Sequence, residues 1–179
     1  MAKPLDAWES LFREMREGDF DEQQDALFRI GLVLERHNSA IVGESDIYEE
    51  ALSRQLLRLT LDDGRQRAAI NDLVAFAEDE AHVADAALYA LGRARVELAV
   101  EPLLRLIASQ GASWSNNAAY QAVFALDAFF RIDASVAMQA LNQIDIRDLL
   151  GRWADSDDNM LVEKADAVLS RIARYQGDS

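Results

Sequence analysis

The chain has 179 residues, half of them hydrophobic, with no cysteine, 2 prolines and 8 glycines. That is enough for one domain with a sizeable apolar core, and the absence of cysteine excludes a disulfide framework, a thiolate nucleophile and a thiolate zinc site. The formal charge is −14; residues 1–50 alone hold 13 acidic and 5 basic side chains, net −8, a surface that repels a phosphate backbone and suits either a basic partner or plain solubility.

MAKPLDAWES lacks the apolar core of a signal peptide, and no stretch approaches 18 uncharged apolar residues. The expectation is a cytoplasmic protein without membrane spans. In chain order, Pro4 opens a first helix whose Leu5, Trp8, Leu11, Phe12 and Met15 recur every three or four residues, and Gly18 ends it. A second helix over about 21–36 buries Ala26, Leu27, Ile30, Val33 and Leu34, with Asp19 and Asp21 at its favourable N-terminal end. HNSAIVGES, 37–45, reads as a break, after which Ser45 or Asp46 with Glu49 offers a capping box. A third helix carries Ile47 to Leu59 and ends near Asp62–Gly64, and a fourth carries Ala69, Ile70, Leu73, Val74 and Phe76. Helices are expected over 81–92 and 96–109, then a polar loop, SQGASWSNN. A seventh helix reads AAYQAVFALDAFFRI; Asp133 or Ser135 starts an eighth, Asn142–Asp145 interrupts it before IRDLLGRWA, and a last helix spans about 159–175.

Two internal registers stand out. DALFRIG at 25–31 matches AALYALG at 86–92, and a shift of 35 brings Ala87, Leu88, Tyr89, Ala90 and Leu91 onto Ala122, Val123, Phe124, Ala125 and Leu126. The stretch AALYALGRARVELAVEPLLRLI resembles the HEAT or Armadillo class of helical repeats, in which a small-residue, leucine and glycine helix is followed by a turn and a second helix. Over about two thirds of the chain the resemblance implies a single all-α domain, a right-handed α-α superhelix of eight to nine helices. Its strongest units are 81–108 and 117–144, with 1–18 and 159–175 as caps. Its repeat core holds Ala87, Leu88, Leu91, Gly92, Ala122 and Leu126, and Asp127 stands where Gly92 would recur. Second helices would line a concave surface.

Few residues point to chemistry. His37 and His82 lie in different elements with no serine placed to pair with either, and read as structural or solvent-facing. DSDDNMLVEKAD, 155–166, starts like a calcium loop but has Met160 where glycine is needed and Asp166 where a closing glutamate belongs, so it reads as a helix cap. Gly31, Gly92 and Gly151 occur singly, as caps or close packing require, and Arg65, Arg67, Arg93 and Arg95 read as isolated basic spots. Glu97, Glu101 and Arg105 recur every four residues and form either a solvated helix face or the wall of a partner groove. Trp114, aromatic in a polar loop, either tucks over the helical stack or anchors an interface.

The expected function is therefore non-catalytic protein binding through an acidic concave surface that includes Glu97, Glu101, Arg105 and Trp114. The partner would be a protein, basic where the acidic charge serves recognition, with no cofactor, metal or nucleic acid; the oligomeric state stays open. The alternatives are an enzyme or accessory factor on the same scaffold, lyase-like or chaperone-like, and a toxin-neutralising protein of the immunity type. The HEAT-like DNA glycosylases would show a strongly basic groove, which this chain does not.

Overall fold

In the computed structural model, residues 4–38 and 45–177 are described, and they form an all-α protein. The elements are α1 (Pro4–Glu17), α2 (Phe20–Asn38), α3 (Ser45–Ala51), α4 (Arg54–Leu57), α5 (Asp63–Asp79) and α6 (Ala84–Arg93). A 3₁₀ turn, Glu97–Ala99, leads into α7 (Val100–Gln110); then follow α8 (Asn116–Ile132), α9 (Ala134–Gln143), α10 (Arg147–Ala154) and α11 (Asn159–Gly177). Among the described residues no helix is long and apolar enough to cross a membrane.

Local chemistry explains most boundaries. Asp19 and Glu22 form a reciprocal capping box at α2, each side chain accepting the other's backbone N–H at 3.0 Å. Ser115 caps α8 through the Ala118 N–H at 3.2 Å, and Asp158 caps α11 through the Met160 N–H at 3.0 Å. The expected third helix divides instead into α3 and α4. Ser53 sits in extended backbone (φ −63°, ψ 158°) and its hydroxyl accepts the Leu56 N–H, which starts a new helix. Asp62 begins α5 rather than ending its predecessor, because its carboxylate accepts the Arg65 N–H at 2.8 Å. IRDLLGRWA forms a helix of its own, α10. The break at 39–44, the side chains of Ser45 and Asp46, and residues 178–179 lie outside the described set.

The helices pack in two rows. In one, α2, α6, α8 and α11 follow one another; in the other, α1 with α4 at its side, α5, α7 and α9 do so. Hairpins α1–α2, α5–α6 and α8–α9 tie the rows together, α10 packs against α11, and α6 packs chiefly on α8, α2 and α5. Small residues set the spacing in the first row. A Cβ on Gly31 would lie 3.1 Å from the Ala90 Cα, and one on Gly92 only 2.8 Å from the Ala125 Cβ. The matched segments of the sequence are thus equivalent positions on successive helices: Gly31 meets Ala90, and Gly92 meets Ala125, the residue 35 further on. Ala87, Leu88, Leu91, Ala122 and Leu126 are all fully buried in the shared core.

Asp127, where the glycine would recur, is 3 % exposed. Its Oδ2 accepts from Arg131 Nη2 at 2.8 Å and its Oδ1 from Arg171 Nε of α11 at 2.7 Å. A charged clamp replaces close small-residue packing at this step of the row. A second clamp joins α2 to α6. Buried Glu35 accepts from Arg93 and, at 2.8 Å, from Arg95, and hydrogen-bonds Tyr48 of α3. Arg93 and Arg95 are therefore not isolated basic spots; their acid lies 58 residues before Arg93 in the chain. Arg95 has φ 46°, the left-handed region that costs a side-chain-bearing residue about 1–2 kcal/mol.

Candidate functional site

The second row leaves an open groove of about 630 Å³ between α5, the 3₁₀ turn, α7 and the start of α9. Periodicity places its walls. Arg67, Asn71, Val74 and Glu78 fall on one stripe of α5, and Glu97, Glu101 and Arg105 continue the turn and α7 at steps of four. Leu98, Pro102, Leu106 and Val136, with Val74, supply the apolar lining. The polar walls hold three carboxylates and two guanidiniums. Arg105 reaches back to Glu101 through Nε at 3.0 Å and Nη2 at 2.6 Å. With the two side chains 67 % and 53 % exposed, that pair stabilises the helix by only a few tenths of a kcal/mol. Glu78, Glu97 and Arg67 have no ion-pair partner among the described residues, which leaves their charge available to a ligand.

The structure thus brings Glu97, Glu101 and Arg105 to one groove and puts Trp114 elsewhere. Trp114 follows a 3₁₀ turn, Gly111–Ser113, and its half-buried ring stacks on Trp153 of α10, centroids 6.4 Å apart and planes 13° apart. Gly111 makes room for that contact: a Cβ there would lie 2.7 Å from Leu149 Cδ2 and 3.2 Å from Trp153. The groove also has members that the sequence does not assign to it: Arg67, which reads there as an isolated basic spot, Asn71 and Glu78 of α5, and Val136 of α9. The stripe on α5 is visible in the sequence at intervals of four and three; that it borders α7 is not.

Among the described residues no group of three or more His, Cys, Asp or Glu side chains is placed to hold a metal ion. His37 lies in the last turn of α2, and His82 precedes α6, with Nδ1 3.4 Å from Glu80 and Nε2 3.3 Å from Gln23. Neither perturbed acid lines the groove, although Asp133 caps the turn of α9 that carries Val136: Asp133 is held below the usual carboxylate range by hydrogen bonds from the Ser135 side chain and from the Val136 and Ser135 N–H groups, and Asp145 chiefly by the Arg147 N–H. Both are helix-cap or turn carboxylates with structural work to do. Comparison with protein-family models, with curated proteins and with solved structures gives no match to this chain.

Proposed function

We propose that the chain is a non-catalytic protein-binding module, a HEAT-type superhelix whose α5–α7–α9 groove takes a segment of a basic protein partner. The observation that carries this reading is the groove itself: apolar floor residues Val74, Leu98 and Pro102 beneath a rim in which Glu78 and Glu97 lack ion-pair partners among the described residues. An apolar strip with a charged rim is the anatomy of a helix-in-groove or extended-peptide site. The two-row packing and the recurring glycine–alanine contacts support the repeat assignment. A net charge of −14 adds steering toward a cationic partner.

The test is site-specific photocrosslinking from Leu98 in the native host, followed by identification of the captured residues. The expected capture is one protein whose crosslinked segment carries lysine or arginine beside apolar residues. Charge reversal at Glu97→Lys with Glu101→Lys should lower its yield about tenfold, the equivalent of about 1.4 kcal/mol. Capture that is indifferent to the reversal rejects the groove as the binding surface.

A further inference from the structure

The first row carries a feature independent of that groove. At the position before the two residues that precede each recurring glycine or Asp127, successive helices present an aromatic ring: Phe28 on α2, Tyr89 on α6 and Phe124 on α8. Two of the three rings are covered by a cation from this chain. Arg93 lies over Tyr89, its Cζ 5.0 Å from the ring centroid and its Nε donating to the phenol oxygen at 2.6 Å. Lys164 of α11 lies over Phe124 with Nζ 5.4 Å from the centroid. Among the described residues no cation lies over Phe28, which instead stacks beside Tyr89, centroids 6.3 Å apart and planes 15° apart.

Beside these two rings is an open cavity of about 240 Å³, lined by Gln24, Phe28, Asp85, Ala86, Tyr89 and Gln121. Asp85 is half-buried there, and among the described residues its carboxylate accepts from two donors, both neutral: the Ala86 N–H at 2.9 Å and the Asn117 side-chain amide. It has no ion pair among the described residues, so its negative charge is oriented but not neutralised. We infer that this cavity receives a lysine or arginine side chain from a polypeptide partner, seated between the Asp85 carboxylate and the Phe28 ring, with Tyr89, already held by Arg93, forming the wall behind Phe28.

The chemistry selects that occupant over others. The negative ring faces and the carboxylate attract a cation and repel an anion. An apolar side chain would strip water from Asp85 without replacing the lost hydrogen bonds. The volume is below the roughly 300–1,000 Å³ typical of small-molecule pockets and suits one side chain delivered on a chain. Gln24 and Gln121 offer amide oxygens for the remaining N–H groups of a guanidinium or ammonium.

NMR titration of the full chain with three capped tripeptides, Gly-Arg-Gly, Gly-Lys-Gly and Gly-norleucine-Gly, tests this assignment. At least one charged peptide should shift Phe28, Tyr89 and the Asn117 side-chain amide saturably, while the norleucine peptide leaves them in place. Asp85→Asn keeps the Ala86 N–H contact through its amide oxygen and turns its NH2 toward Asn117, whose amide flips to accept it; this variant should weaken the charged peptide at least fivefold. Gln121→Lys, at a half-buried lining position, supplies an internal cation and should abolish the shifts; this variant decides the matter if Asp85→Asn does not fold. Equal response to norleucine, an affinity within twofold of the parent in the folded Asp85→Asn chain, persistence of the shifts in Gln121→Lys, or no response to either charged peptide overturns the assignment. These signals are separate from Leu98 and Glu97, so the outcome does not depend on the α5–α7–α9 groove.

Discussion

Asp127 and its two arginines show how one residue changes the logic of a repeat. The carboxylate is 4 % exposed, whereas Arg131 and Arg171 are 62 % and 32 % exposed. Removing the acid leaves guanidiniums that reach water, so Asp127→Asn should cost only about 1–2 kcal/mol. Removing both bases strands a buried charge, and Arg131→Met with Arg171→Met should cost about 3–5 kcal/mol. Urea unfolding of the two variants checks the asymmetry; equal losses would mean that the clamp is not organised around the buried acid. Glycine at the equivalent position works by space instead. Alanine at position 92 meets Ala125 Cβ at 2.8 Å and its Cα at 3.0 Å, an overpacking cost of about 1–3 kcal/mol against about 1 kcal/mol gained in helix propensity. Gly92→Ala should therefore be destabilising, Gly31→Ala, whose tightest contact is 3.1 Å, milder, and Ala125→Gly should rescue the first.

At the scale of elements, α3 and α9 depend on titratable groups with opposite signs. Tyr48 of α3 has its phenol pushed above the ordinary 10.0, first by burial and then by the charge of Glu35 and a hydrogen bond to it. The protonated phenol is the folded form, so its contribution is complete below 10.0 and is lost as pH rises from there through the folded value. Asp133, which caps α9, is lowered from 3.8; its contribution is complete above 3.8 and is lost as pH falls through the folded value. Thermal unfolding should lose stability at the alkaline limb less steeply in Tyr48→Phe, and at the acid limb less steeply in Asp133→Asn. Parallel limbs in parent and variant would exclude these groups as the cause. Much of this level was legible in advance, because caps and helix faces follow from spacing within a few residues. The division between α3 and α4 was not, since the apolar run from Ile47 to Leu59 outweighs one serine until Ser53 is seen in extended backbone.

For the whole molecule, the question is which exposed features belong to stability and which to recognition. Trp114 stacks on Trp153 outside the groove lining, and half-burial of so large a ring assigns Trp114→Ala a loss of about 2 kcal/mol. Capture from Leu98 should survive that substitution under conditions where the chain stays folded. Glu97→Lys with Glu101→Lys should do the reverse, sparing the unfolding midpoint within about 0.5 kcal/mol while weakening capture, because both side chains lie on the groove wall and outside the core. Loss of capture in Trp114→Ala with native stability would instead move the binding surface to α10.

Spacing along the chain is enough to reveal most of the helices, their apolar stripes and the equivalence of 25–31, 86–92 and 121–127, because periodicity and capping are set by chain neighbours. It also places Glu97, Glu101 and Arg105 on one row. The packing of distant segments decides that Glu35 answers Arg93 across 58 positions and that Asp127 answers Arg171 across 44. It likewise decides that the α5 stripe faces α7, and that Asp85 stands unneutralised beside Phe28 and Tyr89. Those pairings depend on which buried faces meet when the rows close, and that choice is made by packing between distant segments rather than by any local repeat.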